Sequence, residues 1–194
     1  MNKKQIMIST LLLSLIMCLV LIQGFFDNNF SRLLLKDNNM GQYKEYSIEG
    51  TKYKLSIPER WIVNKTNNNL FCQIEIKDVE NDILGYFQII DTKSSVDALA
   101  NNYIENLLLP PKGEKISRFS GNNWSGKSIV YTNTISNGYS YNNNIYYIEL
   151  CNGNIGKLTF LVKQDKYKNN MKIIFDNIVD SIRCIDNKDL PLQS

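Results

Sequence analysis

Seventeen residues near the N-terminus, Ile6 to Ile22, form an apolar run that contains no charged side chain. Gln23 and Gly24 interrupt the run, and Phe25 and Phe26 then extend it to 21 residues, enough for a membrane-spanning helix, which needs about 20. A cleavable signal peptide has a shorter apolar region of about 7–15 residues and a small-residue cleavage site. We therefore expect residues 1–26 to be an uncleaved signal anchor that enters the membrane through residues 6–26. Secretion after signal cleavage is the alternative.

The charges beside this run predict its orientation. Lys3 and Lys4 precede it, and cytoplasmic segments next to a spanning helix carry an excess of positive charge. We expect a single-pass protein of the cell membrane, with its N-terminus in the cytoplasm and its C-terminal domain outside. Residues 27–42 then form a juxtamembrane tether, residues 43–185 the extracytoplasmic domain and residues 186–194 a flexible tail.

Charge and histidine content exclude several classes of function. The net charge is +3, of which Lys3 and Lys4 supply two, so the rest of the chain carries +1. A duplex-binding protein needs a basic surface, and nucleic acid is therefore not an expected partner. The chain has no histidine, which removes Ser-His and Cys-His catalysis and most zinc chemistry. We expect no catalytic, cofactor-binding or metal-binding residues, and a protein that is not an enzyme.

Alternating apolar and polar residues predict the first strands. A hairpin is expected over residues 46–57, because the alternation stops at a Glu-Gly turn and then resumes, and Pro58 should end it. Residues 64–69 form a polar loop in this interpretation. Strands are expected over residues 70–77 and 83–90, and the second is apolar on nearly both sides, as in a central strand.

Two segments place apolar residues at helical spacing. The first runs over residues 96–108, with Ser94 or Ser95 as its N-cap, and Pro110-Pro111 should stop it. The second should be capped by Asp165 or Asn169, and its apolar positions are Met171, Ile174, Phe175, Ile178, Val179 and Ile182. Both faces are typical of core packing rather than of a cofactor site.

Four antiparallel strands are expected between the two helices. The Asn137-Gly138 pair is a strong hairpin signal. These strands cover residues 116–119, 127–135, 139–150 and 157–162. The sequence therefore predicts an α+β domain, with a mostly antiparallel sheet flanked by two amphipathic helices and preceded by one N-terminal transmembrane helix.

Three stretches of the domain resemble PsbP-like domains. A hairpin runs into Lys54-Leu55-Ser56-Ile57-Pro58-Glu59-Arg60-Trp61, similar to a strand-Pro-x-x-Trp opening. The strand Gly85-Tyr86-Phe87-Gln88-Ile89-Ile90 precedes a helix, and the terminal helix ends in Ile178-Val179-Asp180-Ser181-Ile182. The resemblance spans residues 43–185 and implies an α/β/α sandwich. It also implies kinship with bacterial membrane-anchored or exported members of unknown function, and we transfer no residue roles from it.

Three cysteines lie outside the apolar run, namely Cys72, Cys151 and Cys184. Export permits disulfides. Buried free thiols are the preferred interpretation and a single pair is the alternative, since spacing does not select which two residues would pair.

Two motifs have a functional and a structural interpretation. Gly121 to Ser128 matches the letters G-x-x-x-x-G-K-S, but a phosphate-binding loop needs a helix after it, and here a β-rich run follows. The acidic residues Glu75, Asp78, Glu80 and Asp82 would suit loose calcium binding but lack the spacing of a calcium loop. We expect a strand in the first case and a solvated turn in the second.

An aromatic and polar hairpin is the candidate partner surface, formed by Tyr139, Tyr141, Asn143 and Tyr147. Aromatic rings and amides suit protein or glycan surfaces, whereas cross-strand packing is the structural alternative. We expect a membrane-anchored, non-catalytic binding or accessory module. Its partner would be an envelope protein or a cell-wall glycan, and a carboxylate- or metal-dependent enzyme is the remaining alternative.

Overall fold

The computed structural model describes residues 12–14, 17, 42–48, 51–65, 74–136 and 138–185. The chain divides into two compact units, Met1–Met40 and Gly41–Ser194. Within the predicted anchor, residues 12–14 and 17 are described and are helical. The rest of the anchor, residues 27–41 of the tether and the tail lie outside the described residues. Among the residues that are described, no helix has both the length and the apolar character to span a bilayer.

A small antiparallel sheet begins the domain. Strands β1 (Tyr43–Ser47) and β2 (Tyr53–Pro58) form the predicted hairpin, which is confirmed, and β10 (Arg183–Cys184) pairs with β2 on its other side. Tyr53, Leu55 and Ile57 of β2 are buried, as their alternation indicates. This second sheet makes the domain richer in strands than the sequence predicts.

A seven-stranded antiparallel sheet forms the centre of the domain. Its order is β3 (Ile62–Lys65), β4 (Ile74–Asp78), β5 (Ile83–Ile90), β9 (Ile155–Lys163), β8 (Ser140–Glu149), β7 (Ser125–Thr134) and β6 (Lys112–Ser120). Strand β5 has a neighbour on each side, as predicted for a central strand. The predicted loop over residues 64–69 is wrong at its start, because Asn64 and Lys65 belong to β3. They pair with Glu75 and Ile74 of β4. This pairing provides hydrogen-bond partners for the backbone N–H and C=O groups of β4.

Helix α1 (Val96–Glu105) covers one face of this sheet, over β7 and β8. Ser95 is the N-cap, and its hydroxyl accepts a hydrogen bond from the Ala98 amide at 3.2 Å. The predicted extension to residue 108 is wrong. The helix ends at Asn106, whose side-chain amide donates to the Asn102 carbonyl at 2.7 Å, and Leu108 is exposed to solvent.

Helix α2 (Met171–Asp180) covers the opposite face. Five of its residues are buried, and the Phe175 ring stacks on Phe160 of β9 with 4.3 Å between ring centroids. Neither predicted capping residue occupies the N-cap, which is Asn170. Ile182 is buried as predicted but lies beyond the helix, in the turn that leads to β10. The two helices on opposite faces give the predicted α/β/α arrangement, to which β1, β2 and β10 add a second sheet.

A disulfide joins Cys151 to Cys184, at the two ends of the segment that contains β9 and α2. Cys151 lies in a short 3-10 turn (Cys151–Gly153) after β8, and Cys184 lies in β10, with 6.6 Å between their Cα atoms. The preferred interpretation of free thiols is therefore wrong for these two residues. Cys184 lies beyond α2, where the chain turns back to pair with β2. Cys72 lies outside the described residues.

Candidate partner-binding face

The four residues of the predicted partner surface lie in β8 and in the turn before it, and they differ in burial. Tyr139 is 56% exposed and Tyr141 is half-buried, whereas Asn143 and Tyr147 are 3% and 4% exposed. Tyr141, Asn143 and Tyr147 lie on the sheet face that α1 partly covers, since odd-numbered residues of β8 share one side. Asn143 donates to the Asn133 side chain at 2.8 Å, and Tyr147 lies in the core under α1. Tyr139 and Tyr141 therefore remain accessible to a partner, and Asn143 and Tyr147 do not.

A tyrosine cluster fixes α1 to the sheet around Tyr147. The Tyr103 hydroxyl lies 3.0 Å from the Tyr131 hydroxyl, and the Tyr103 and Tyr147 rings pack edge to face. The Lys157 ammonium lies 4.6 Å from the Tyr103 ring centroid and 5.7 Å from that of Tyr147. Burial lowers the pKa of Lys157 and raises the pKa of Tyr131 and of Tyr147. These contacts make the cluster a structural element rather than a surface.

We expect four phenols to stay protonated well above pH 10 while the domain is folded. Burial raises the pKa of Tyr43 to about 12 and also raises the pKa of Tyr131, Tyr146 and Tyr147. The unfolded chain releases these protons near pH 10, at their ordinary pKa. Their contribution to stability is thus complete below pH 10 and is lost as the pH rises towards 12 and beyond.

An ultraviolet absorbance titration of folded and urea-unfolded protein checks this expectation. The folded protein should ionise fewer tyrosines at pH 11 than the unfolded protein does. Simultaneous ionisation of all tyrosines near pH 10, with a native circular dichroism spectrum, would contradict it.

The half of the same face that lies over β4, β5 and β9 is not covered by a described helix. Antiparallel register aligns two rows of side chains across these strands. One row runs through Glu75, Tyr86 and Thr159, and the other through Lys77, Leu84 and Leu161. All six side chains are half-buried, and we call this surface the open face.

The charged residues of the open face neutralise each other. The Lys77 ammonium pairs with the Glu75 carboxylate, which also accepts a hydrogen bond from Asn64 at 3.3 Å. The hydrogen bond between Lys77 and Glu75 lowers the pKa of Glu75 and raises the pKa of Lys77. The other four residues of the two rows are Leu84, Tyr86, Thr159 and Leu161, and their side chains are partly exposed. The open face therefore has an apolar centre beside the Glu75–Lys77 ion pair, which has no net charge.

A shallow cavity of about 310 Å³ connects the open face to Tyr141. Lys77, Val79, Asp82, Leu84, Tyr141 and Lys163 line it. Lys163 pairs with Asp82 at 3.3 Å, and its ammonium lies 5.5 Å from the Tyr139 ring centroid. The two accessible members of the predicted surface therefore border the open face, which the sequence prediction omits. The sequence does contain a signal for this surface, because β5 is apolar on its second side as well, and Leu84 and Tyr86 on that side are only half-buried.

The acidic residues of the β4–β5 turn are each engaged separately. Asp78 accepts the Glu80 amide at 3.0 Å and the Asn81 side-chain amide at 2.7 Å, and Glu80 pairs with Arg60 at 3.6 Å. Asp82 pairs with Lys163. In the described part of the chain, no three His, Cys, Asp or Glu side chains are grouped so that they could hold a metal ion. The carboxylates stabilise the turn and its neighbours.

Residues 121–128 do not form a phosphate-binding loop. Strand β7 begins at Ser125 and pairs with β6 and β8, whereas the motif requires a helix at this point. A Cβ on Gly126 would collide with the Tyr147 carbonyl, so glycine permits the close approach of β8. Lys127 pairs with Asp97 of α1 at 2.7 Å. The motif is explained by sheet packing.

Comparison with known proteins gives a likeness of fold. No family model matches the chain, and no curated protein matches it. The solution structure of cyanobacterial PsbP (CyanoP) from Synechocystis sp. PCC 6803 is similar, with a TM-score of 0.54 and 10% identity over 74% of this chain and 93% of that chain. LpqN of Mycobacterium tuberculosis, described as involved in cell envelope biogenesis, has a TM-score of 0.48 and 12% identity, over 78% and 94% of the two chains. The domain has a PsbP-like fold, which confirms the resemblance.

Proposed function

We propose that this protein is a membrane-anchored, extracytoplasmic binding module without catalytic activity, and that a protein partner docks on the open face. The observation that carries this proposal is the uncovered half of the central sheet, where Leu84, Tyr86 and Leu161 remain half-exposed. Protein interfaces combine an apolar centre with a polar rim. The open face has this composition, with the Glu75–Lys77 and Asp82–Lys163 pairs at its margin.

Aromatic residues strengthen the assignment to a protein partner. Tyrosine is enriched among the residues that dominate binding energy at interfaces. Tyr86 lies in the open face, and Tyr139 and Tyr141 border it through the shared cavity and Lys163. A glycan site on the hairpin would need accessible amides beside Tyr139 and Tyr141, and the amides of Asn142, Asn143 and Asn144 are all buried.

The location outside the cytoplasm is supported by two independent features. The apolar run 6–22 follows Lys3 and Lys4, which favours an outward-facing C-terminal domain. The Cys151–Cys184 disulfide is typical of a protein that folds in an oxidising compartment.

Site-specific photocrosslinking in intact cells tests the location and the surface together. Benzoylphenylalanine replaces Tyr86 in the full-length protein, and we expect it to form one predominant adduct with a partner protein. A protease added outside the cells should degrade this adduct. The same group at Ile116, an exposed apolar residue on edge strand β6 of the same sheet, is the matched control and should not form this adduct.

A charge on the open face should then weaken the complex. Leu84→Asp is expected to reduce co-purification of the crosslinked partner by about tenfold or more, equivalent to about 1.4 kcal/mol, whereas Ile116→Asp should leave it unchanged. Thermal melts of both variants establish that each domain is folded. Equal adduct yields at the two positions, or unchanged co-purification with a folded Leu84→Asp variant, would refute the proposal.

A further inference from the structure

Large apolar side chains that are exposed in the domain gather at one end of the central sheet. In the described part of the domain these side chains are Ile62, Val79, Leu108, Leu109, Ile116 and Tyr139. All except Ile116 lie at this end, which we call the apolar end. Leu108 is 99% exposed and Val79 is 71% exposed, so these side chains contribute little to the domain core.

Strand register places these residues together. Ile62 pairs with Lys77 at the end of β4, and Val79 lies in the turn that follows. Tyr139 lies in the β7–β8 hairpin, and the neighbouring Tyr141 pairs with both Asn133 and Lys163. Leu108 and Leu109 line a cavity of about 370 Å³ together with Asn133. The apolar residues therefore occupy the same ends of β3, β4, β7 and β8.

The chain also enters the domain at this end. Tyr43, the first residue of β1, pairs with Pro58, and the Gln42 carbonyl accepts the Glu59 amide at 2.8 Å. Glu59 is three residues before Ile62, so Gln42, the first described residue of the domain, lies near the apolar end. Residues 27–42 can span at most about 55 Å when fully extended. A bilayer that holds residues 6–26 is thus within reach of this end.

We propose that the apolar end rests on the outer leaflet of the bilayer, with Leu108 and Leu109 inserted at the level of the headgroups. This inference rests on the membrane anchoring proposed above. Burial of exposed leucines in lipid is favourable, and tyrosine prefers the membrane interface, as Tyr139 would there. Exposed charges of both signs, Glu105 and Lys112, flank Leu108 and Leu109 in the chain. Apolar insertion rather than net charge therefore drives the contact.

Fluorescence quenching in proteoliposomes tests this contact in the full-length chain. An environment-sensitive nitrobenzoxadiazole group is attached through Leu108→Cys, in a chain with Cys18→Ser and Cys72→Ser, and vesicles contain phosphatidylcholine with or without phosphatidylglycerol. The matched control is Ser120→Cys, an exposed residue at the opposite end of β6. We expect quenching by doxyl-labelled lipids to be at least about twofold stronger at position 108 than at position 120, since an interfacial contact buries groups by about 5–10 Å.

Vesicle flotation of the same samples separates this inference from the anchor. Flotation with equal quenching at both positions would overturn the membrane contact and leave the anchor intact, whereas failure to float would overturn both. A blue-shifted emission at position 108 without doxyl quenching would indicate a protein contact and would also overturn the proposal. Leu108→Asp with Leu109→Asp, which changes exposed residues, should float as before. With the wild-type leucines, we expect a fluorophore attached through Tyr139→Cys to be quenched more strongly than one at position 120. In the double aspartate variant, we expect the two positions to be quenched equally.

Discussion

Replacing Phe175 with alanine is expected to lower the free energy of unfolding by about 3–5 kcal/mol, the usual loss for a buried phenylalanine. Phe175 is fully buried in α2, and its ring stacks on Phe160 with 6° between the ring planes. The substitution removes this contact and leaves a cavity between α2 and the sheet. Since domains are stable by about 5–15 kcal/mol, the variant should lose a large fraction of its stability and unfold at a clearly lower urea concentration.

Urea unfolding followed by tryptophan fluorescence measures this loss. Ile116→Ala on edge strand β6 is the control, and its effect should stay within about 0.5 kcal/mol because the residue is exposed. A Phe175→Ala domain that unfolds at the wild-type urea concentration would contradict the packing described for α2.

Reduction of the Cys151–Cys184 disulfide is expected to lower stability by about 3–4 kcal/mol in the chain-entropy account, given a separation of 33 residues. The bond closes a loop that contains β9 and α2. It also holds β10 against β2, a strand pair of two residues. Without the bond, we expect β10 and the small sheet to separate first.

Thermal melts with and without dithiothreitol check the effect of the disulfide. The double variant Cys151→Ser and Cys184→Ser is the control, and dithiothreitol should not shift its midpoint further. Thiol titration of the unfolded wild-type protein should find two of its four cysteines free before reduction and all four after it. Four free thiols before reduction would show that the pair does not form.

Local pattern was sufficient for most elements. The β1–β2 hairpin, β5 and both helices were predictable because alternation and helical spacing record which side of each element is buried. Their boundaries were less predictable. Helix α1 stops before Leu108, where the Asn106 side chain donates a hydrogen bond to the Asn102 carbonyl. Strand β3 continues into residues that are polar enough for a loop because β4 pairs with them.

The candidate site could be predicted in part. The odd-numbered residues of β8 lie on one face, as alternation requires, so Tyr141, Asn143 and Tyr147 share a side of the sheet. Alternation does not record which part of that side a helix covers. Helix α1 lies over Tyr147 and ends short of Tyr141, which leaves Tyr139 and Tyr141 accessible.

The sequence by itself determined the alternation of strands, the two amphipathic helices and the absence of histidine chemistry, since these depend on residue type and spacing alone. The tertiary structure decided which cysteines pair, where β10 lies and which half of the central sheet stays open. These features join segments far apart in the chain, such as Cys151 with Cys184 and Leu84 with Leu161. Their contact depends on strand order and on where the helices pack, and no local pattern in the sequence specifies either.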